Sequence, residues 1–488
     1  MEEKNKDYTL TVGLEIHAEL ATKSKMWCGC KNDPDEVKPN VNICPICMGH
    51  PGSLPTINKE AVRQVLRIGK ALGGAQADFT EFDRKNYFYP DIPKGYQISQ
   101  YKYPLVTGGI LNGVSLTRVH LEEDTGVSIH DRGRGDDQYS LINFNRAGVP
   151  LMELVTEPVI RTAEEASNFA KEFQLLLQYL GAGNANLEKG EMRVEANISV
   201  SKNDSKNNWV KSKKLGTKVE VKNLNSFKAV EKAINFEMER HIEKLERGEK
   251  VVQETRGWDE KKEITFSQRS KEDAHDYRYF PDPDLPKLKL SLVPEFSEKS
   301  LVESLPELPS EKRKRYSALK MQSQHIDFFV SDLQAGDYFD KVLEFLELPE
   351  EITLATNYIA VDLWGLREKE NFAGFPEPKN IAELVKLISK NILSSRGAKD
   401  VLTNMVSKNG QGKSPKEIAE KLGVIQESDV TVLKSVIQKI IEENPRVVEE
   451  FKTGKEASLQ FLIGQAMKET RGSANPNILK EILIRALQ

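Results

Sequence analysis

The sequence has no apolar run near the ~20 residues that a membrane-spanning helix needs, and it opens on MEEKNKDYTL, charged where a signal peptide is apolar. A soluble, cytoplasmic protein with no membrane association is expected. Cysteine is scarce, with four in 488 residues, which excludes a disulfide framework. All four lie between Cys28 and Cys47, which points to a metal or to redox chemistry. Positive charge is not in excess either: the net charge is −4 with 30% charged residues, so any nucleic-acid contact must come from local patches. The length allows about three domains at ~150 residues each.

Aromatics are concentrated instead in FDRKNYFYPDIPKGYQISQYKYP, residues 82–104, where Arg84, Lys85, Lys94 and Lys102 stand among five tyrosines, including Tyr96. Pro90, Pro93 and Gly95 make this too irregular for a helix or a plain strand, so an ordered loop is expected. Cations with stackable rings suit a nucleotide or an RNA end; packing against a core is the competing reading. A later loop with Arg269, His275, Arg278 and Tyr279 repeats this chemistry.

Four segments alternate as strands. In YTLTVGLEIHAE, Glu15, His17 and Glu19 share one face, suited to a divalent cation; spacing alone favours the solvent face of an edge strand. RVHLEEDTG places His120 and Glu122 on one face beside Glu123 and Asp124. Such adjacent carboxylates call for a cation such as Mg²⁺, although Asp124 also suits an acidic turn in water. EMRVEANISVS carries Arg193, Glu195 and Asn197, and GTKVEVKNLNSF carries Lys218, Glu220 and Lys222, in the same alternation. Four strands with paired acidic and basic groups exceed what solubility asks for.

Cys28-Gly-Cys30 and Cys44-Pro-Ile-Cys47 can set four thiolates around zinc, a closed and therefore structural site; free thiols or a redox pair are the alternative. Helices are expected over 58–72, from the Thr162 cap to Gly181, and over 226–247. After 281–294 the pattern turns helical, near 310–319, 331–346, 381–392, 415–422, 430–443, 445–451 and 455–470. A final helix pair brackets Lys468 and Arg471, basic residues suited to an RNA backbone or to protein docking.

VGLEIHAEL, FDRKNYFYPDIPKGYQISQY, RVHLEEDTG, NFNRAGVPLMELVTEP, EVKNLNSF, AHDYRYFPDPDLP and GQAMKETRGSANP together resemble the B subunits of bacterial aspartyl/glutamyl-tRNA(Asn/Gln) amidotransferases, in order and over essentially the whole chain. The resemblance implies an α+β fold. A large cradle domain (1–293) with a mixed or antiparallel, glutamine-synthetase-like sheet would hold the metal loop, followed by a helical domain (294–410) and a small tRNA-binding tail (411–488). It implies a ligase that uses ATP to phosphorylate the side-chain carboxylate of Glu-tRNA(Gln) or Asp-tRNA(Asn), which ammonia then converts to the amide.

Carried over by motif, Glu15, His17, Glu122 and Glu123 resemble the catalytic and Mg²⁺ ligands, with Glu195 and Glu220 as further Mg²⁺ candidates. Arg84, Lys85, Lys94, Tyr96, Arg193 and Lys222 are similar to residues lining the ATP and acceptor-end site. Cys28, Cys30, Cys44 and Cys47 match a structural zinc site, and Lys468 and Arg471 a tRNA contact. No glutaminase signature, such as a Ser-Ser-Lys triad in a Gly/Ser-rich segment, is present. The implied partners are therefore an amidase (glutaminase) A subunit and a small C subunit in a heterotrimer, with misacylated tRNA and the cognate non-discriminating aminoacyl-tRNA synthetase. Two readings compete: a stand-alone ATP-dependent carboxylate-amine ligase, and a non-catalytic zinc-bearing RNA-binding subunit.

Overall fold

A computed structural model describes residues 7–132, 139–203, 215–270, 276–426, 430–470, 474 and 476–487. The chain forms two compact units, Met1–Pro309 and Ser310–Gln488. The first is built on a mixed sheet of ten strands. Its long strands are β1 (Tyr8–Glu19), β4 (Val114–Glu123), β5 (Pro150–Thr156), β6 (Met192–Lys202), β7 (Val219–Leu224), β8 (Glu254–Asp259) and β9 (Ile264–Ser270). They lie in the order β9-β8-β7-β6-β1-β5-β4, antiparallel except for the parallel pair β7 and β8.

Alternation makes the sheet two-faced. Leu10, Val12, Leu14, Ile16 and Ala18 of β1 are buried in one core with Val119, Leu121, Leu154, Val194 and Val221 of its neighbours. Three helices, α1 (Lys59–Ala71), α2 (Ala163–Tyr179) and α3 (Phe227–Glu246), contribute their apolar stripes to that core. Burying each large aliphatic side chain there contributes about 1.5–3 kcal/mol. The helices begin where capping residues place them: Asn58 accepts from the Glu60 and Ala61 amides, Thr162 from Glu165 and Ser226 from Ala229. The polar alternates of the strands occupy the opposite face.

β1 is not an edge strand. It is paired along its length with β6 and over its second half with β5, which overturns the edge-strand reading of Glu15, His17 and Glu19. Residues 82–104 are also more regular than expected. β2 (Asp83–Asn86) and β3 (Tyr96–Ser99) pair antiparallel and take Phe280–Pro281 as a third strand. Pro90, Pro93 and Gly95 all fall in the connection between β2 and β3, where they break no ladder. The tight hairpin leading into β4 turns at Asn112 and Gly113, both at positive φ (48° and 80°), the left-handed conformation that suits Asn-Gly.

The first unit runs past residue 293: the short helix Glu298–Glu303 packs on α1, and Arg67 donates to the Ser304 carbonyl at 2.9 Å. The second unit is helical. The helix expected over 331–346 is Leu333–Leu343; extended Asp332 ends the preceding helix, Ser323–Ser331, which the spacing did not mark, and caps this one through the Ala335 amide. Helices Pro349–Asn357 and Ser395–Met405 were not legible from spacing. Residues 433–487 carry an apolar core of their own, around Leu433, Ile437, Leu462, Leu479 and Leu483. Among the described residues no helix is long and apolar enough to cross a membrane.

Candidate functional site

Register brings the polar faces of four strands together. His17 of β1 stands opposite Arg193 of β6 on one side and Glu153 of β5 on the other, and Glu153 stands opposite His120 of β4. One step along the sheet, Glu15 faces Glu195 of β6. His17 Nε2 lies 3.3 Å from Glu153, 3.5 Å from Glu122 and 3.9 Å from Glu15. His120 Nε2 lies 3.5 Å from Glu153, and Arg118 approaches the other oxygen of Glu153 at 3.3 Å. Ser99 donates to Glu122 at 3.0 Å.

Charges so close shift one another. Burial, reinforced by the charges of Glu153 and Glu195, raises the Glu15 carboxyl to about 7. Burial works against the imidazolium of His17, but its hydrogen bond to Glu153 and the charges of Glu122 and Glu153 outweigh it and lift the group to about 9. Glu153 is the converse: burial would raise it, and His120, His17 and Arg118 hold it well below the usual carboxylate range. The face therefore combines a cationic imidazole, an ionised Glu153 and a Glu15 poised near neutrality.

Among the described residues, three carboxylate-bearing sets can each converge on one ion, with ligand atoms within 4.8 Å of one another: Glu15, His17 and Glu153; His120, Glu122 and Glu153; and Glu15, Glu195 and Glu220. Oxygen-rich sets with a poised carboxylate fit Mg²⁺. Lys222 bridges Glu195 at 2.8 Å and Glu220 at 3.7 Å, so a cation already sits at that edge. Lys85 on β2 lies over the rings of Tyr277 and Tyr87, and despite burial its ammonium is strengthened by Glu122 first and by Glu153 further on.

Other expected site residues lie elsewhere. Glu123 points to the opposite side of β4 from Glu122. Both its oxygens are 2.5 Å from Lys94, and one accepts the Ile98 amide at 2.9 Å. It joins none of the ion-binding sets. Asp124 is no acidic turn in water; it is buried against Arg193 at 3.1 Å and Arg146 at 3.6 Å. Arg84 is engaged by Asp282 and Asp284 at 2.8 and 2.9 Å, with its guanidinium over Tyr96. Tyr279 stacks on Tyr101 with ring centroids 4.4 Å apart, and exposed Arg278 approaches Asp276 at 3.5 Å. His275 and Arg471 lie outside the described residues, as does the side chain of Arg269. Lys468 is exposed on the helix Glu456–Glu469.

Glu153 was missed by sequence reasoning, and like Glu15 it takes part in two of the three sets. Its one signal is a lone acid in the apolar strand PLMELVT.

Cys28, Cys30, Cys44 and Cys47 also converge within 4.8 Å and form no disulfide. Four thiols at that spacing fit one tetrahedral ion of the zinc type.

One face of the mixed sheet thus gathers carboxylates, imidazoles and cations, and a four-cysteine cluster lies in the same unit. Similarity to known proteins is more specific. Residues 10–293 match the GatB/GatE catalytic domain and residues 337–487 the GatB domain. The chain is 39% identical to the B subunit of the aspartyl/glutamyl-tRNA(Asn/Gln) amidotransferase of Crocosphaera subtropica, over 99% of this chain and 98% of that one. It is 41% identical to the corresponding B subunit of Caldanaerobacter subterraneus, over 98% of each chain, and 40% identical to that of Dehalococcoides mccartyi, over 99% of each. The chain belongs to the family of amidotransferase B subunits.

Proposed function

We propose that this chain is the carboxylate-activating subunit of a cytoplasmic tRNA-dependent amidotransferase, a ligase with glutamine as amide donor. The side-chain carboxylate of Glu-tRNA(Gln) or Asp-tRNA(Asn) attacks the γ-phosphorus of ATP. A C–O–P bond forms and the bond to ADP breaks. Ammonia then attacks the acyl carbon, inorganic phosphate leaves, a proton is lost, and the amide remains. Activation is required because a carboxylate oxygen is a poor leaving group.

The observation that carries this reading is the row Arg193, His17, Glu153 and His120, directly opposed across four strands and flanked by Glu15 and Glu122. Glu15, Glu122, Glu153, Glu195 and Glu220, with His17, are the residues that would hold Mg²⁺, which supplies charge neutralisation to phosphate oxygens. Imidazolium His17, Lys85, Lys222 and Arg193 present further positive charge to the transferring group. Arg84, Lys94 and Tyr96 order the β2–β3 hairpin that forms one wall, and the sheet forms the floor of a glutamine-synthetase-like cradle. Glu123 serves the hairpin through Lys94. Zinc in the cysteine cluster is structural.

An amidase A subunit supplies ammonia from glutamine, with a small C subunit completing a heterotrimer and the non-discriminating synthetase delivering substrate. Residues 1–293 form the catalytic domain, residues 294–410 a helical domain with its first helix packed on the catalytic unit, and residues 411–488 the tail that holds the tRNA body through Lys468 and Arg471.

ADP release with Mg²⁺ and ATP, in complex with the amidase partner, tests the proposal by comparing misacylated glutamyl-tRNA with the same tRNA uncharged. Release that needs the attached glutamate is expected. Tight tRNA binding with charge-independent or absent release refutes it.

A further inference from the structure

Lys25 is fully buried, at 0% exposure, in the turn between β1 and the first cysteine pair. Its ammonium can donate three hydrogen bonds, yet it makes one, to the Phe144 carbonyl at 3.2 Å, and no carboxylate lies within ion-pair distance among the described residues. A buried charge without a counter-charge costs several kcal/mol and does not persist in a packed core. The nearby Glu123 is already neutralised by Lys94.

What surrounds Lys25 is the cysteine cluster. Its backbone amide donates to the Cys30 carbonyl at 2.9 Å. Gly148, at φ +85°, is the point where three parts meet: a β-carbon there would stand 3.6 Å from Lys25 Cδ, 3.6 Å from Cys47 Cβ and 3.7 Å from Glu123 Oε2. Burial pushes the Lys25 ammonium down from its ordinary value, and the charges of the four cysteine sulfurs, Cys47 first, oppose that. Four thiolates around a divalent ion carry a net charge of −2, and the fold supplies one buried cation against it.

We infer that Lys25 is the buried counter-cation of the four-cysteine metal centre, so that metal and lysine each make the other tolerable inside the protein. The inference rests on the cysteine cluster holding a divalent ion. It explains why a lysine fills a place where an aliphatic residue would otherwise fit, and it separates the charge of Lys25 from its packing. The charge is favourable when the ion is bound and unfavourable when it is not.

The test uses the full chain with stoichiometric zinc, in three forms: parent, Lys25→Met and Lys25→Gln. Zinc transfer to a chromogenic chelator is timed for each, and melting temperature is measured with zinc and after its removal. Both variants are expected to release zinc roughly ten times faster or more, since losing one partner of a ligand set changes metal affinity about 10–100-fold. Lys25→Met should melt below the parent with zinc and at or above it without. Lys25→Gln removes the charge but retains a polar donor, and it decides the question if the Met form does not fold. Parent-like release in the variant that folds, or an equal loss of melting temperature with and without zinc, overturns the role of Lys25. A parent protein that binds no zinc overturns instead the metal reading on which it rests.

Discussion

Replacing Glu153 by Gln removes one negative charge and almost no volume from the place where His17, His120 and Arg118 converge, at 3.3, 3.5 and 3.3 Å. Unit charges 4 Å apart interact by about 4 kcal/mol at an effective dielectric of ~20. Even a third of that, about 1.4 kcal/mol, moves a titration by one pH unit. His17, lifted to about 9 by this bond and its other acidic neighbours, should therefore fall by about one unit or more in Glu153→Gln. At pH 8 a one-unit fall takes the charged share of the imidazole from about nine-tenths to about half, a loss of about twofold, and removal of the Glu153 carboxylate from the proposed Mg²⁺ set should bring the drop in tRNA-dependent ADP release to about 10²-fold or more. The assay pairs that rate with NMR titration of the His17 ring. Because breaking a buried pair costs about 3–5 kcal/mol, a melting curve must show that the variant stays folded. A folded variant with His17 unmoved, or with ADP release within about threefold of the parent, refutes the reasoning.

Two further outcomes follow from the same geometry. Glu123→Gln should weaken the β2–β3 hairpin rather than ion binding, since Lys94 loses its partner while every ion-binding set stays intact; Mg²⁺ affinity should hold while proteolysis within 87–95 speeds up, and the reverse pattern would return Glu123 to the site. Glu237 on α3, fully buried, is held at about 2 because the His241 imidazole 3.3 Å away and hydrogen bonds from Arg240 and Thr265 outweigh the burial that would raise it. A depressed carboxylate stabilises the fold above its unfolded value and loses that contribution as pH falls through the folded one. Parent stability should therefore drop by on the order of 3 kcal/mol between about pH 4.5 and 2, and a Glu237→Gln form whose acid limb of unfolding is unchanged would refute the assignment.

Local rules were readable where they act locally. Asn58, Thr162 and Ser226 announce helix starts because a side-chain oxygen satisfies amides two or three residues on, and the two-residue alternation of β1 and β6 reports a two-faced sheet. What pairs with what was not readable. Glu15 and His17 suit a solvent edge equally well until β5 and β6 are laid on either side of β1. Glu153 has Leu151 and Val155 as its same-face neighbours, so no alternating signal marks it, and only register sets it between His17 and His120. Arg84 presents itself as a phosphate ligand because Asp282 and Asp284, which engage it, lie some two hundred residues along the chain. The irregular composition of 82–104 likewise hid a hairpin whose third strand comes from residues 280–281.

The central place of β1 sets a timetable. The first strand to be synthesised is completed by β5 and β6, Pro150–Thr156 and Met192–Lys202, so its backbone amides and carbonyls wait for partners until residue 202 has emerged. At ~5–20 residues per second that wait lasts about 10–40 s on the ribosome. Pairings so distant in sequence also close slowly once the partners exist. Any nascent chain interrupted before β6 displays an apolar, half-paired strand, so aggregation-prone surface stays exposed through the first two-fifths of synthesis.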